Sequence, residues 1–405
     1  MRRLTCTTAV AAVLALSASP APAQNQRTTG PVATYWVTAR TSSGLPSGGG
    51  GFDPMAMMSG GGGAQKSLLL QLQSGRSAAS PEAEHTPPDG LNTGILPLVT
   101  PMGQPTAPVY DSMPQTRGDG ERVRMLIYHG CGEPTGPGQP LVIEISTDNP
   151  TQGAGRMATL MEAVRVSPQI APSPGVGRTY GEWPNGRASQ SIPANGSLVG
   201  DHLVRGNYTP DIAFRLGEDQ DFMEAVQLTG VADGGSLGWN AVGGARGYFA
   251  MTMGANESGD MVAWTSSDVP VSFGQVPDIL SPNDLERLIR TGVVLPASTT
   301  QCAIPSAVQM AAPQSMLRVV AFGGEADFSY PPRPANPLET WNIEHVVKVR
   351  YTSGVSTILG MDMGDFGDGE DQDRGRGDPG ARQPAPNPAD AIRDLFGLGR
   401  PRPRG

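Results

Sequence analysis

His129, Cys131 and Glu133 alternate along the chain, so an extended backbone places an imidazole, a thiol and a carboxylate on one face. That set suits a metal site or an activated thiolate. Gly130 and Gly132 lie between them and favour a turn, and Cys302 is the other cysteine outside the first 23 residues. An even pair in an oxidising compartment is expected to close as a disulfide, Cys131 to Cys302, which would consume the thiol. On the chain-entropy account, closing so long a loop stabilises a fold by up to ~5 kcal/mol.

Two glycine-rich stretches mimic nucleotide or hydrolase motifs and fail on context. Residues 234–238 (GGSLG) match the spacing of a nucleophile elbow, but that motif needs a helix after the serine, and the residues that follow read as a strand. Residues 60–67 (GGGGAQKS) approach a phosphate loop, but Gln65 stands where the glycine before the lysine is required. His85, His202 and His345 are isolated in sequence and read as structural. An unseen convergence of acids such as Glu133, Glu144 and Asp201 would be the route to a hydrolase, although no spacing raises them above their neighbours.

Methionine carries the clearest metal alternative. Met55, Met57 and Met58, then Met251 and Met253, then Met361 and Met363 form M-x-M pairs, and thioethers are soft ligands suited to Cu(I). The competing expectation places Met251 and Met253 on one face of a strand as core filler. The acidic residues from Asp362 to Asp373 lack the ligand pattern of a Ca²⁺ loop and read as a solvated segment.

The elements that must position these groups are mostly strands. Residues 34–41 (TYWVTART) and 67–73 (SLLLQLQ) are rich in β-branched or alternating apolar residues, and a Gly/Met-rich loop over 42–65 joins them. Residues 122–129 and 141–147 form a hairpin, and residues 158–166 read as a short helix carrying Leu160, Met161 and Val164. Further strands are expected at 198–204, 212–216, 225–228, 236–242, 247–254, 261–266, 317–322 and 345–351. One helix interrupts them. Ser281 supplies its N-cap, Pro282 fits the first position, and Gly292 terminates it.

Leu237-Gly-Trp239-Asn-Ala-Val242-Gly-Gly-Ala245-Arg-Gly-Tyr248 resembles the B strand, turn and C strand of fibronectin type III-like modules. Leu317-Arg-Val-Val-Ala-Phe322-Gly-Gly is similar to their F strand and following turn. The resemblance covers about residues 217–334 and implies an immunoglobulin-like β-sandwich with an inserted helix. It implies nothing about activity.

The expected organisation is a mainly β protein of two β-rich domains. Residues 1–23 have the Arg2-Arg3 start, apolar run and Ala21-Pro-Ala23 end of a cleaved signal peptide. An irregular β-rich domain spans 24–216, the sandwich spans 217–334, and a β-hairpin spans 335–360. A tail follows from 361 to 405, too poor in apolar residues to order itself, with a short helix at 388–396 whose Ile392, Leu395 and Phe396 share a docking face. A net charge of −9 argues against a nucleic-acid surface, which needs clustered cations. The chain therefore reads as a periplasmic or extracellular, non-enzymatic binding or scaffolding protein with no cofactor and no membrane span after the leader. Its partner would be an envelope protein or a glycan.

Overall fold

The computed structural model describes residues 26–44, 63–100, 122–133, 135–146, 150–167, 169–175, 178–185, 190–231, 235–272 and 274–360. Strands β1 (Thr28–Thr29), β2 (Ala33–Gly44), β3 (Gln65–Ser74), β4 (Ala83–Thr86), β5 (Leu96–Leu98), β6 (Arg122–His129) and β7 (Leu141–Ser146) lead into helix α1 (Pro150–Ala163). Next come β8 (Thr179–Trp183), β9 (Gly200–Gly206), β10 (Ile212–Leu216), β11 (Leu228–Val231), β12 (Ser236–Trp239), β13 (Gly247–Ala255) and β14 (Met261–Thr265). The last part holds α2 (Pro282–Arg290), β15 (Leu295–Pro296), β16 (Gln301–Ala303), α3 (Ser306–Ala311), β17 (Ser315–Tyr330), β18 (Trp341–Asn342) and β19 (His345–Leu359). The protein is mainly β, as its alternating apolar runs require.

One large mixed sheet dominates, in the order β7-β6-β14-β13-β17-β19-β2-β3-β8, with β15 added beside β13. It draws strands from both sides of residue 216. Most neighbours are antiparallel, but β6 runs parallel to β14 and β2 parallel to β19. Strict alternation then separates two faces. Tyr35, Val37, Leu70, Leu72, Val347, Val349, Tyr248 and Trp264 point to one side, into the main core. That side is covered by a four-stranded sheet, β10-β9-β4-β5, and a three-stranded sheet, β11-β12-β16.

The opposite side is divided. Over β6, β7, β13, β14 and β17 it is apolar and capped by helices: Leu160 of α1 meets Met125, Ile127 and Ile143, while Leu285 and Leu288 of α2 meet Phe249, Met251, Val320 and Phe322. Over β2, β3 and β19 it carries polar and charged side chains and has no helix above it. A β-bulge explains how acids reach this half. Phe322 pairs with Thr352 and Glu325 with Arg350, so one extra residue sits at Gly323-Gly324. The insertion resets the alternation and turns Glu325 to the same side as Arg350.

Helix α2 starts and stops as its sequence dictates. The Ser281 hydroxyl accepts from the Asp284 N–H, Pro282 occupies the first turn, and Gly292 adopts φ +72° just past the C-cap. Helix α1 begins eight residues earlier than the expected start at 158 and ends before Val164, whose β-branch suits the irregular segment beyond. Its inward side carries Leu160 and the partly buried Met157, Val164 is buried just beyond its end, and Met161 is exposed. The expected loop over 42–65 is shorter at both ends, because β2 runs to Gly44 and β3 starts at Gln65. Ser42 pairs with Gln65 of β3, and Ser43 and Gly44 pair with Val355 and Ser356 of β19, which extends the strands past their apolar stretches.

The sulfurs of Cys131 and Cys302 lie at bonding distance, with Cα atoms 5.0 Å apart, and join the end of β6 to β16 across 171 residues. No helix among the described residues is long and apolar enough to cross a membrane.

Candidate binding face

On the open half, residues two apart in β2 and β19 form cross-strand neighbours. Thr38 lies beside Arg350, Trp36 beside Lys348, and Arg40 beside Thr352. The Arg350 guanidinium stacks over Trp36 at 4.3 Å, and donates to the Thr38 hydroxyl at 2.7 Å and to Gln169 Oε1 at 3.1 Å. Burial lowers its pKa to about 10, with Glu325 opposing the shift and the charge of Arg40 adding to it. Lys348 reaches Glu325 at 2.6 Å and Asp327 at 3.1 Å. Burial acts against the ammonium, but those two hydrogen bonds outweigh it and raise its pKa.

Towards the other end of the same strands, Arg40 and Arg318 both donate to Asp278 Oδ2, at 2.9 and 2.7 Å. Asp278 arrives from the segment between β14 and α2, the inserted stretch that also carries Val276 and Leu280 into the core. Around this triad, Ser42, Val320, Thr352 and Gly354 line a small, half-open pocket. Four cations and three carboxylates therefore share the half-sheet, leaving it locally positive in a chain of net charge −9.

The residues singled out from sequence fall mostly elsewhere. Cys131 is in the disulfide, the Glu133 carboxylate accepts from the Ser306 N–H at the start of α3, and His129 hydrogen-bonds Gln139 through its backbone. The three therefore do not form a metal or thiolate site. Glu144 pairs with Arg124 and Asp201 with Arg215, far apart on different sheets. Ser236 opens β12, so a strand does follow it. Met251 and Met253 are buried in β13. Met55, Met57, Met58, Met361, Met363, Ile392, Leu395 and Phe396 lie outside the described residues, as do the expected signal peptide over 1–23 and the whole of 361–405.

Two groupings escape sequence reasoning. His85 and His202, 117 residues apart, meet in the core beneath Tyr35. The arginine pair around Asp278 joins three distant segments, and the lone signal is the arginine placed within otherwise apolar or hydroxyl-rich strands at 40, 318 and 350. Comparison with protein-family models, curated proteins and solved structures finds no match for the chain.

Proposed function

We propose that this is an exported, non-enzymatic binding module of the cell envelope, and that its contact surface is the helix-free polar half of the large sheet. The observation that supports this most is the contrast within one sheet face: half is apolar and roofed by α1 and α2, while the other half has no helix above it and holds ion-paired side chains on rigid strands, crossed by the chain near Gln169 and Pro172 and by the segment of Asp278. Binding groups held by strands are more precisely placed than groups on loops. A fibronectin type III-like module fits the strand order, because the three-stranded sheet β11-β12-β16 faces β14-β13-β17-β19 as that family's A-B-E sheet faces its C′-C-F-G sheet. On this reading Trp239 is the B-strand tryptophan, and the module runs past its expected end at 334 to take in β19, which pairs with β17 rather than forming a separate hairpin over 335–360.

An added negative charge tests it. Purified protein is incubated with isolated envelope material, and retention is compared for wild type, for Leu69→Glu, which charges an exposed position beside Thr38 on this face without breaking an ion pair, and for a control, Arg215→Glu, on the far side of the molecule. Retention should fall about tenfold for Leu69→Glu and stay unchanged for the control. Equal retention of all three overturns the surface assignment, and no retention of wild type overturns the binding role.

A further inference from the structure

Arg40 and Arg318 stand on β2 and β17 with β19 between them, and the β19 residue that separates them is Gly354, paired with Ser42 on one side and Val320 on the other. Gly354 presents no side chain, so the space between the guanidiniums is left as a pocket whose walls are Arg40, Arg318, Asp278 and the Thr352 and Ser42 side chains. A Cβ at Gly354 would lie 3.2 Å from the Val319 carbonyl oxygen and would intrude on that floor.

The charge balance matters as much as the shape. Both arginines use one N–H on the same Asp278 oxygen, and each guanidinium has five. The Arg40 and Arg318 side chains keep 35% and 20% of their surface exposed, so unused donors face the opening. Asp278, only 9% exposed, neutralises one of the two charges and holds the forks in place. One positive charge is left over, matched to a single carboxylate group. The pocket admits a single oxygen in place of a water. A phosphate dianion would bring both its charges on one group against Asp278, whereas each planar carboxylate of an organic acid carries one charge, presents one oxygen to the pocket and suits guanidinium forks.

We infer that this pocket binds the carboxylate of a small organic acid, with one oxygen between Arg40 and Arg318 and the rest of the molecule lying over Gly354 on the open face. The assignment rests on the reading of that face as a binding surface and names the chemistry it recognises. Succinate is the probe, succinamide its uncharged counterpart and inorganic phosphate the competing anion, each titrated calorimetrically into the full chain. Succinate should bind wild type and Arg215→Gln equally, and about tenfold more weakly to Arg40→Gln and to Arg318→Gln. Gly354→Ser, which fills the floor without changing charge, should weaken it as well. Phosphate and succinamide should bind about tenfold more weakly than succinate.

Far-ultraviolet circular dichroism identifies any variant that fails to fold, in which case Gly354→Ser carries the test. Equal succinate affinity in wild type and the folded arginine variants, or equal binding of succinamide, overturns the inference. No succinate binding, with envelope retention still sensitive to Leu69→Glu, overturns the carboxylate assignment and leaves the binding face standing. Loss of both results overturns both.

Discussion

His85 Nε2 lies 3.0 Å from His202 Nδ1, and both rings are buried where the four-stranded sheet packs on β2. The pair belongs to a chain of hydrogen bonds with a defined direction. His202 Nε2 is 2.7 Å from the Leu198 carbonyl, which can only accept, so that nitrogen carries the proton. In the neutral ring Nδ1 then accepts from His85 Nε2–H, and His85 Nδ1 accepts from the Tyr35 hydroxyl. Phe214 stacks on His202 at 4.7 Å and closes the site. The arrangement satisfies every group only when both imidazoles are neutral.

Acid should therefore loosen the fold. Burial lowers the His85 pKa well below its ordinary value, and the neighbouring His202 adds to the shift; burial also lowers His202, opposed by the Leu198 carbonyl and Asp201. A depressed folded pKa means stability is complete above the unfolded value of about 6.5 and is lost as pH falls below it. Melting temperature should be level above about pH 7 and decline from about pH 6.5 downward. His129 and His345 shift in the same direction, so the steepness is assigned with a Tyr35→Phe/His85→Phe variant, which should show a shallower decline. A wild-type profile flat to pH 5 contradicts the neutral pair.

The single substitution His85→Phe keeps a ring of similar size but strands the Tyr35 hydroxyl and His202 Nδ1 in the core. Each orphaned group costs about 1–3 kcal/mol, so Tyr35→Phe/His85→Phe should be more stable than His85→Phe alone. Urea unfolding at pH 8 measures the difference, and a double variant less stable than the single contradicts it.

Glu325 is the most enclosed acid of the open face, with a side chain 5% exposed. Lys348→Met would leave that carboxylate facing only Asp327 and the neighbouring Arg350, and removing one partner of such a pair costs about 3–5 kcal/mol. Adding Glu325→Leu should restore most of the loss, because apolar replacements of a buried pair are often neutral. Chemical denaturation of both variants supplies the comparison, and an unchanged Lys348→Met midpoint would refute it.

Reduction of the Cys131–Cys302 bond should lower unfolding free energy by about 2–5 kcal/mol, as removal of a disulfide that closes a long loop does. The matching Cys131→Ser/Cys302→Ser variant should behave like the reduced protein in guanidinium titrations. Identical midpoints with and without reductant would contradict a role for the bond in stability.

Local patterns made much of this fold legible. The alternation in TYWVTART and RVRMLIYH marked β2 and β6, and Ser281, Pro282 and Gly292 marked both ends of α2. Short strands such as β4 (AEHT) and β16 (QCA) carried no such signal, because their residues become strand by pairing with β9 and β12. The parallel contacts β2 to β19 and β6 to β14 join segments far apart in sequence, and no local periodicity encodes them. The same holds for the binding face. Arg40, Asp278 and Arg318 read separately as ordinary charges, and only the β17-β19-β2 register, with a bulge at Gly323-Gly324, sets them and Glu325 on one side.

The two lysines of the chain provide the most direct test of the binding face. Lys348 lies on it, whereas Lys66 lies on the other side of the sheet, bonded to the Gly196 carbonyl and set over Phe222. Acetylation rates at both sites are measured by mass spectrometry with and without envelope material. Protection of Lys348 with an unchanged rate at Lys66 is the predicted result. An unprotected Lys348, or protection confined to Lys66, would contradict the account.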